Sequence, residues 1–220
     1  MSGLSPAYFK FFKGLEKDNS KEYFDAHRSD YEQSVKEPFK ELVQTVIERM
    51  RKHEPTLSVE AKDAIFRINR DIRFAKDKAP YKTFCGAHIS AHGKKAMGRP
   101  GFYFQIGTAG GFIGGGAYMP EKDELVAIRS LLVQKGKDFD KIIKSKKFTD
   151  HYGELRGERN KVVPVEFREA AEKNPLIANK QFFWGADLSK KDVQSEKLVD
   201  ILLDYYLAGK PAQDFFNRLY

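Results

Sequence analysis

The stretch from Ile65 to Lys82 limits what this chain can fold into more than any other. It sets Arg67, Arg70, Arg73, Lys76, Lys78 and Lys82 against Asp71 and Asp77, with Phe66, Ile68, Ile72, Phe74 and Tyr81 threaded between them. Charge this dense is normally a solvated helix face or a disordered tail. The interleaved apolar residues argue against a freely solvated tail. They are expected to anchor the backbone, so that the charges are held in fixed geometry. Fixed guanidinium groups either pair with carboxylates of their own chain or bind an anion. If Asp71 to Arg73 is extended, those two side chains share one face and Ile72 takes the other. Ala79-Pro80 requires extended or turn geometry at Ala79, which presents Tyr81 and Lys82 at the exit.

The rest of the chain switches period twice. Ser5-Pro6 opens a helix with Phe9, Phe12 and Leu15 at helical spacing, and Asp18-Asn19-Ser20 breaks it. A second helix starts near Ser20, turns Tyr23, Phe24 and Tyr31 inward, and is predicted to end or kink at Pro38. A third, Phe39 to Arg51, carries Leu42, Val43, Val46, Ile47 and Met50 on one face. The middle reads as antiparallel β: Phe84 to Ser90, then Gly101 to Ile106, then Phe112 to Met119 after a hairpin at residues 107–111. In the second of these, Phe102, Phe104 and Ile106 face one way and Tyr103 and Gln105 the other. His92 to Pro100 reads as an exposed loop. Met119-Pro120 opens a helix with Glu121, Asp123 and Glu124 in its first turn, stopped by Gly136. A lysine-rich helical piece covers Asp138 to Lys147, residues 152–163 are irregular, and Val165 to Lys173 is a short helix. A last long helix covers Asp192 to Ala208, capped by Gly209 and restarted at Pro211. With no repeat and no long linker, residues 1–220 are expected to form a single α+β domain, an antiparallel sheet flanked by N-terminal and C-terminal helices.

Composition bounds the partner. The net charge of +8 suits an anionic one, a phosphorylated metabolite or a nucleic acid. Cys85 is the only cysteine, which excludes an internal disulfide and fits a reducing, cytoplasmic location. No signal-peptide pattern and no membrane-length apolar run is present.

The remaining motifs carry little chemistry. The cluster Gly110-Gly111-Phe112-Ile113-Gly114-Gly115-Gly116 lacks the Gly-Lys-Ser/Thr ending of a phosphate loop, so its glycines read as bulges or close approaches, or as room for something lying over the strand. His88 and His92 are four apart but fall on strand and loop, so no metal site is expected. Cys85 reads as a small buried hydrophobe rather than a nucleophile. Arg129 lies between Leu125 and Leu132 on an apolar helical arc, so it snorkels or pairs, with Asp71, Asp77 or the same anion as its expected partner.

Three blocks resemble a known family, the domain of unknown function 2461. The Arg-Asp-x-Arg-Phe and Asp-Lys-x-Pro-Tyr-Lys elements of Arg67 to Lys82 are intact. Asn19 to Tyr31 is similar to the family, with Tyr23 where it tends to have tryptophan. Gly115-Gly116-Ala117-Tyr118-Met119-Pro120 followed by Arg129 matches its second block. Pro164-Val165-Glu166-Phe167 departs from it, lacking a basic residue and a glycine. The resemblance implies no reaction and no cofactor. The residues themselves make Arg67, Arg70, Asp71, Arg73, Asp77, Lys78, Tyr81, Lys82, Tyr118 and Arg129 the candidate ligand-binding set for a small phosphorylated or carboxylated anion. Tyr81 and Tyr118 would serve as walls or hydroxyl donors. The alternatives are a nucleic-acid-binding module that adds Lys94, Lys95, Arg99 and the Lys141–Lys147 run, and a structural or partner-binding domain whose charges are internal.

Overall fold

A computed structural model describes residues 3–220. Helix α1 (Pro6–Lys17) holds Pro6 in its first turn, where a missing N–H costs nothing, and buries Tyr8, Phe9, Phe11, Phe12 and Leu15. Ser20 caps α2 (Lys21–Ala26) by accepting from the Tyr23 amide at 3.1 Å. Helix α3 (Arg28–Tyr31) passes through a π-helical turn, Glu32–Lys36, straight into α4 (Glu37–Arg51). The break expected at Pro38 is absent. Pro38 stands in the first turn of α4, next to a widened turn where the regular ladder is already interrupted.

After the short α5 (Ala61–Ala64) come β1 (Phe84–Ile89), β2 (Phe102–Gly107) and β3 (Gly110–Ala117), then α6 (Lys122–Ile143), α7 (Lys146–Tyr152) and α8 (Arg168–Lys173). Strand β4 (Phe182–Leu188), α9 (Lys190–Val193) and α10 (Leu198–Asn217) complete the chain. One antiparallel sheet runs in the order β1-β2-β3-β4, and the class is α+β. The chain divides into two compact units. Unit 1 comprises Met1–Lys94, Tyr103–Ile113 and Asp187–Leu203; unit 2 comprises Lys95–Phe102, Gly114–Ala186 and Asp204–Tyr220.

In unit 1 the apolar faces of α1 and α4 meet one face of the strands. The Tyr8 hydroxyl donates to the Ile106 carbonyl at 3.0 Å, and Phe39 lies 5.8 Å from Phe104. Phe104, Ile106, Val43 and Ile47 are fully buried, and each such side chain contributes about 1.5–3 kcal/mol. Unit 2 has its own core, in which Phe139, Phe148, Phe182, Trp184, Phe215 and Phe216 are buried.

Two helix stops expected from the sequence give way in unit 2. Helix α6 runs past Gly136, with only Lys135 leaving helical geometry (φ −130°, ψ 17°). A Cβ at Gly136 would stand 2.6 Å from Asn174 Nδ2, so the glycine serves close approach and not termination. Likewise α10 continues through Gly209 and Pro211. A Cβ on Gly209 would lie 2.6 Å from the Trp184 indole nitrogen. Burial of Ala208, Ala212, Phe215 and Phe216 on either side outweighs the roughly 3 kcal/mol that an interior proline costs a helix. Strand β4 falls where the sequence reading places no strand; burial of its Phe182 and Trp184 commits it to the core of unit 2.

Gly116 gives a test of this packing. Its φ is +104°, and an added Cβ would lie 2.3 Å from the Phe182 carbonyl oxygen. Gly116→Ala is expected to lower stability by about 1–3 kcal/mol in urea denaturation. Gly93→Ala, at φ +86° with nothing nearby, should cost less. Equal effects at both positions would contradict the close approach.

Candidate functional site

The charged stretch is a hairpin arm of unit 1, built on Tyr81. The Tyr81 amide donates to Asn19 Oδ1 at 3.0 Å, and Asn19 Nδ2 donates to the Tyr81 carbonyl at 3.1 Å. One side-chain amide thus satisfies one edge of the backbone at Tyr81. On the other edge the Arg70 amide donates to the Pro80 carbonyl (2.8 Å) and the Lys82 amide to the Ile68 carbonyl (2.9 Å), around the antiparallel pair Asn69 and Tyr81. Lower down, the Phe66 amide donates to the Gly86 carbonyl and Ile65 pairs with Ala87. Between these two rungs the β1 side carries more residues than its partner, so the arm bulges at Thr83 to Cys85. The Tyr81 ring stacks on Phe24 at 4.2 Å and 12° and is only 7% exposed. Tyr81 is therefore an anchor in this fold, and burial raises its hydroxyl pKa.

The arm's tip pairs with itself. Arg73 makes a two-pronged contact with Asp71, Nε to Oδ1 at 2.9 Å and Nη2 to Oδ2 at 2.6 Å, on the shared face that extended backbone requires. Those hydrogen bonds hold the Asp71 carboxyl down to about 2. Arg70 Nη1 donates to Asp77 (2.6 Å) and to the Ala79 carbonyl (3.0 Å). The Ala79 amide, then Arg70, keep Asp77 below the usual carboxylate range. Lys78 donates to the Ile72 carbonyl at 3.0 Å. Arg73 remains 77% exposed, so its pair orders the loop more than it stabilises the fold. Phe74, 95% exposed, lies under the Arg73 guanidinium at 5.9 Å.

Two cations at the arm's base differ from the rest. Lys82 is half-buried; its ammonium donates to the Arg67 carbonyl at 2.8 Å and sits 5.5 Å over the Phe66 ring. Burial, and then the positive charge of Arg67, push its pKa down. Neither Lys82 nor Arg67 meets a carboxylate among the described residues.

The other two candidates belong to unit 2. Tyr118 is 43% exposed, its amide donates to the Met97 carbonyl, and its ring meets Phe183 edge-on at 5.1 Å. Arg129 is 2% exposed and donates through Nε to the Ile177 carbonyl (2.9 Å) and through Nη2 to the Asn179 carbonyl (3.2 Å). The expectation that Asp71 or Asp77 partners Arg129 is thereby corrected: backbone carbonyls take its donors, while the two aspartates hold Arg73 and Arg70. Desolvation lowers the Arg129 pKa. Cys85 is buried, and desolvation pushes its thiol up to about 12, far from a nucleophile's range. Among the described residues no three histidine, cysteine or carboxylate groups gather to hold a metal ion.

The residues that sequence reasoning left without a role are on the sheet. Tyr103 has Phe66 at 6.3 Å on one side and Phe112 at 6.3 Å on the other, all half-buried. The Tyr103 hydroxyl donates to Gln105 Oε1 at 2.6 Å. The alternation along residues 101–106 already set Tyr103 and Gln105 opposite the core-facing phenylalanines. Their continuity with Lys82 depends on the fold.

The family described as conserved hypothetical protein (DUF2461) matches residues 7–215. Comparison with curated proteins and with solved structures gives no match.

Asn19→Ala removes both contacts to Tyr81 and leaves its amide unsatisfied. The expected cost is about 1–3 kcal/mol in urea denaturation, with faster amide hydrogen exchange at Arg70 and Lys82. Unchanged exchange at those amides would show that the arm does not depend on Asn19.

Proposed function

The chain belongs to the conserved hypothetical protein family DUF2461, and from there we propose that it binds a small phosphorylated or carboxylated anion at the base of the arm. One observation carries this reading: the half-buried Lys82 ammonium stands near the positive charge of Arg67, and among the described residues neither forms an ion pair with a carboxylate, Asp71 acting on Arg67 only as a nearby charge while its oxygens hold Arg73. Neighbouring like charges repel, and an anion shared between them would relieve the repulsion and accept hydrogen bonds from both. Arg70 and Arg73, already oriented by Asp77 and Asp71, would extend the positive field toward the tip. The Arg129 guanidinium is a brace between α6 and the Ile177–Asn179 backbone in this reading, and no reaction is assigned.

A second reading, docking of a macromolecule on the arm, is favoured by Phe74, whose ring stands almost wholly in solvent beneath Arg73. Recruitment of nucleic acid has weaker support. Lys94 gives its ammonium to the Lys62 and Ile65 carbonyls, and Lys144, Lys146 and Lys147 face Asp140, Asp150 and Asp204.

The test is calorimetric titration with pyrophosphate and citrate, backed by thermal denaturation. A ligand at a hundred times its Kd is expected to add about 2.7 kcal/mol of stability. Lys82→Met and Arg67→Ala should each weaken binding by about tenfold or more, as loss of a charged hydrogen bond does. Lys144→Ala should change nothing. The affinity should fall as pH rises through the depressed pKa of Lys82, because only the ammonium attracts the anion. No binding of either probe, or binding indifferent to both base substitutions, would refute the site.

A further inference from the structure

Beside the two base cations lies a sheet face whose lining is unlike an ordinary solvated one. A Cβ on Gly86 would point at the Tyr103 hydroxyl (3.2 Å) and Gln105 Cβ (3.6 Å), so Gly86, Tyr103 and Gln105 share one face of β1 and β2. The other face of β2 carries the buried Phe104 and Ile106. Along the first face the contacts are continuous: Lys82 ammonium over Phe66 at 5.5 Å, Phe66 to Tyr103 at 6.3 Å, Tyr103 to Phe112 at 6.3 Å. All of these residues belong to unit 1. The rings are half-buried, and glycine at position 86 gives the Tyr103 hydroxyl room to lie against β1.

The polar groups here are few and oriented. Gln105 accepts the Tyr103 hydroxyl through Oε1, which leaves Nε2 as a donor without a partner among the described residues. His88 lies on the same face by the two-residue period of β1. Its Nδ1 contacts the Lys94 carbonyl at 3.1 Å, and since a carbonyl only accepts, the proton is on Nδ1 and Nε2 is the acceptor. Burial lowers its pKa, so the ring is neutral near pH 7.

We propose that the anion's carrier is a planar ring, stacked on the Phe66–Tyr103–Phe112 face, while its phosphate or carboxylate meets Lys82 and Arg67. This rests on the anion site proposed above and names its ligand class: an aryl phosphate or aryl carboxylate. Aromatic walls with a few placed polar groups are the usual lining of a small-molecule site. The charge at one end of the row fixes which end the acid occupies. A flexible alkyl chain would gain area on this surface but not the offset stacking that ring pairs favour.

Phenyl phosphate, butyl phosphate and phenol are titrated calorimetrically into the intact protein and into Phe112→Leu and Lys82→Met. Thermal denaturation confirms that each variant is folded. Phenyl phosphate is expected to bind about tenfold tighter than butyl phosphate. Phe112→Leu should remove that preference, weakening phenyl phosphate more than butyl phosphate, and Lys82→Met should weaken both phosphates. Equal affinity for the two phosphates, both lost in Lys82→Met, would overturn the ring and keep the anion site. Phenol binding as tightly as phenyl phosphate would overturn the anion site, and so would failure of both phosphates to bind. A preference that survives in Phe112→Leu would place the ring elsewhere and refute the assignment.

Discussion

The arrangement at the arm depends on one amide side chain. Asn19, in the break between α1 and α2, donates to and accepts from the backbone of Tyr81, sixty-two positions away. Most arginines and lysines of the segment face outward on it, so apolar burial alone cannot fix its course. Two hydrogen bonds from a residue held by capped helices can. With Tyr81 fixed and its ring stacked on Phe24, Pro80 and Lys82 turn to meet Arg70 and Ile68, and the register of the arm follows.

The charges divide by environment. At the exposed tip, Arg73–Asp71 and Arg70–Asp77 are solvated pairs that organise a loop and add little to stability. Arg129 in unit 2 is the opposite case, a buried cation that donates to two carbonyls. Arg67 and Lys82 fall between these extremes, partly desolvated on the lysine side and, among the described residues, in no ion pair, with Asp71 near Arg67 but bonded to Arg73. That intermediate state is the one in which an external anion gains most, because Lys82 is already oriented and neither cation is closed in an ion pair.

What could be read from the sequence was whatever local pattern decides. Pro6, the periodicity of Leu42 to Met50, and the alternation of Phe102, Phe104 and Ile106 each specify an element, and each element formed. The apolar residues among the charges of Ile65 to Lys82 announced an anchored surface segment. Reading failed where a distant partner overrules a local signal. Gly136 and Gly209 look like helix stops, but they admit Asn174 and Trp184. Pro38 looks like a break, but a π-helical turn absorbs it. The apolar arc around Arg129 points to Asp71, Asp77 or an anion as its partner, yet its hydrogen-bond acceptors are carbonyl oxygens, which every residue has and no sequence pattern marks, and the carboxylate near it is Glu166. The packing of Tyr81 on Phe24 is likewise a contact between distant residues that no local pattern marks.

The most direct measurement is a crystal structure of the protein soaked with tungstate, whose anomalous signal locates a tetrahedral oxyanion without ambiguity. The expected result is a tungstate held between the Arg67 guanidinium and the Lys82 ammonium, at the charged end of the Phe66–Tyr103–Phe112 row, and its loss in Lys82→Met crystals. A structure in which Arg67 and Lys82 each turn to a carboxylate of the chain, with tungstate bound only elsewhere, would contradict it.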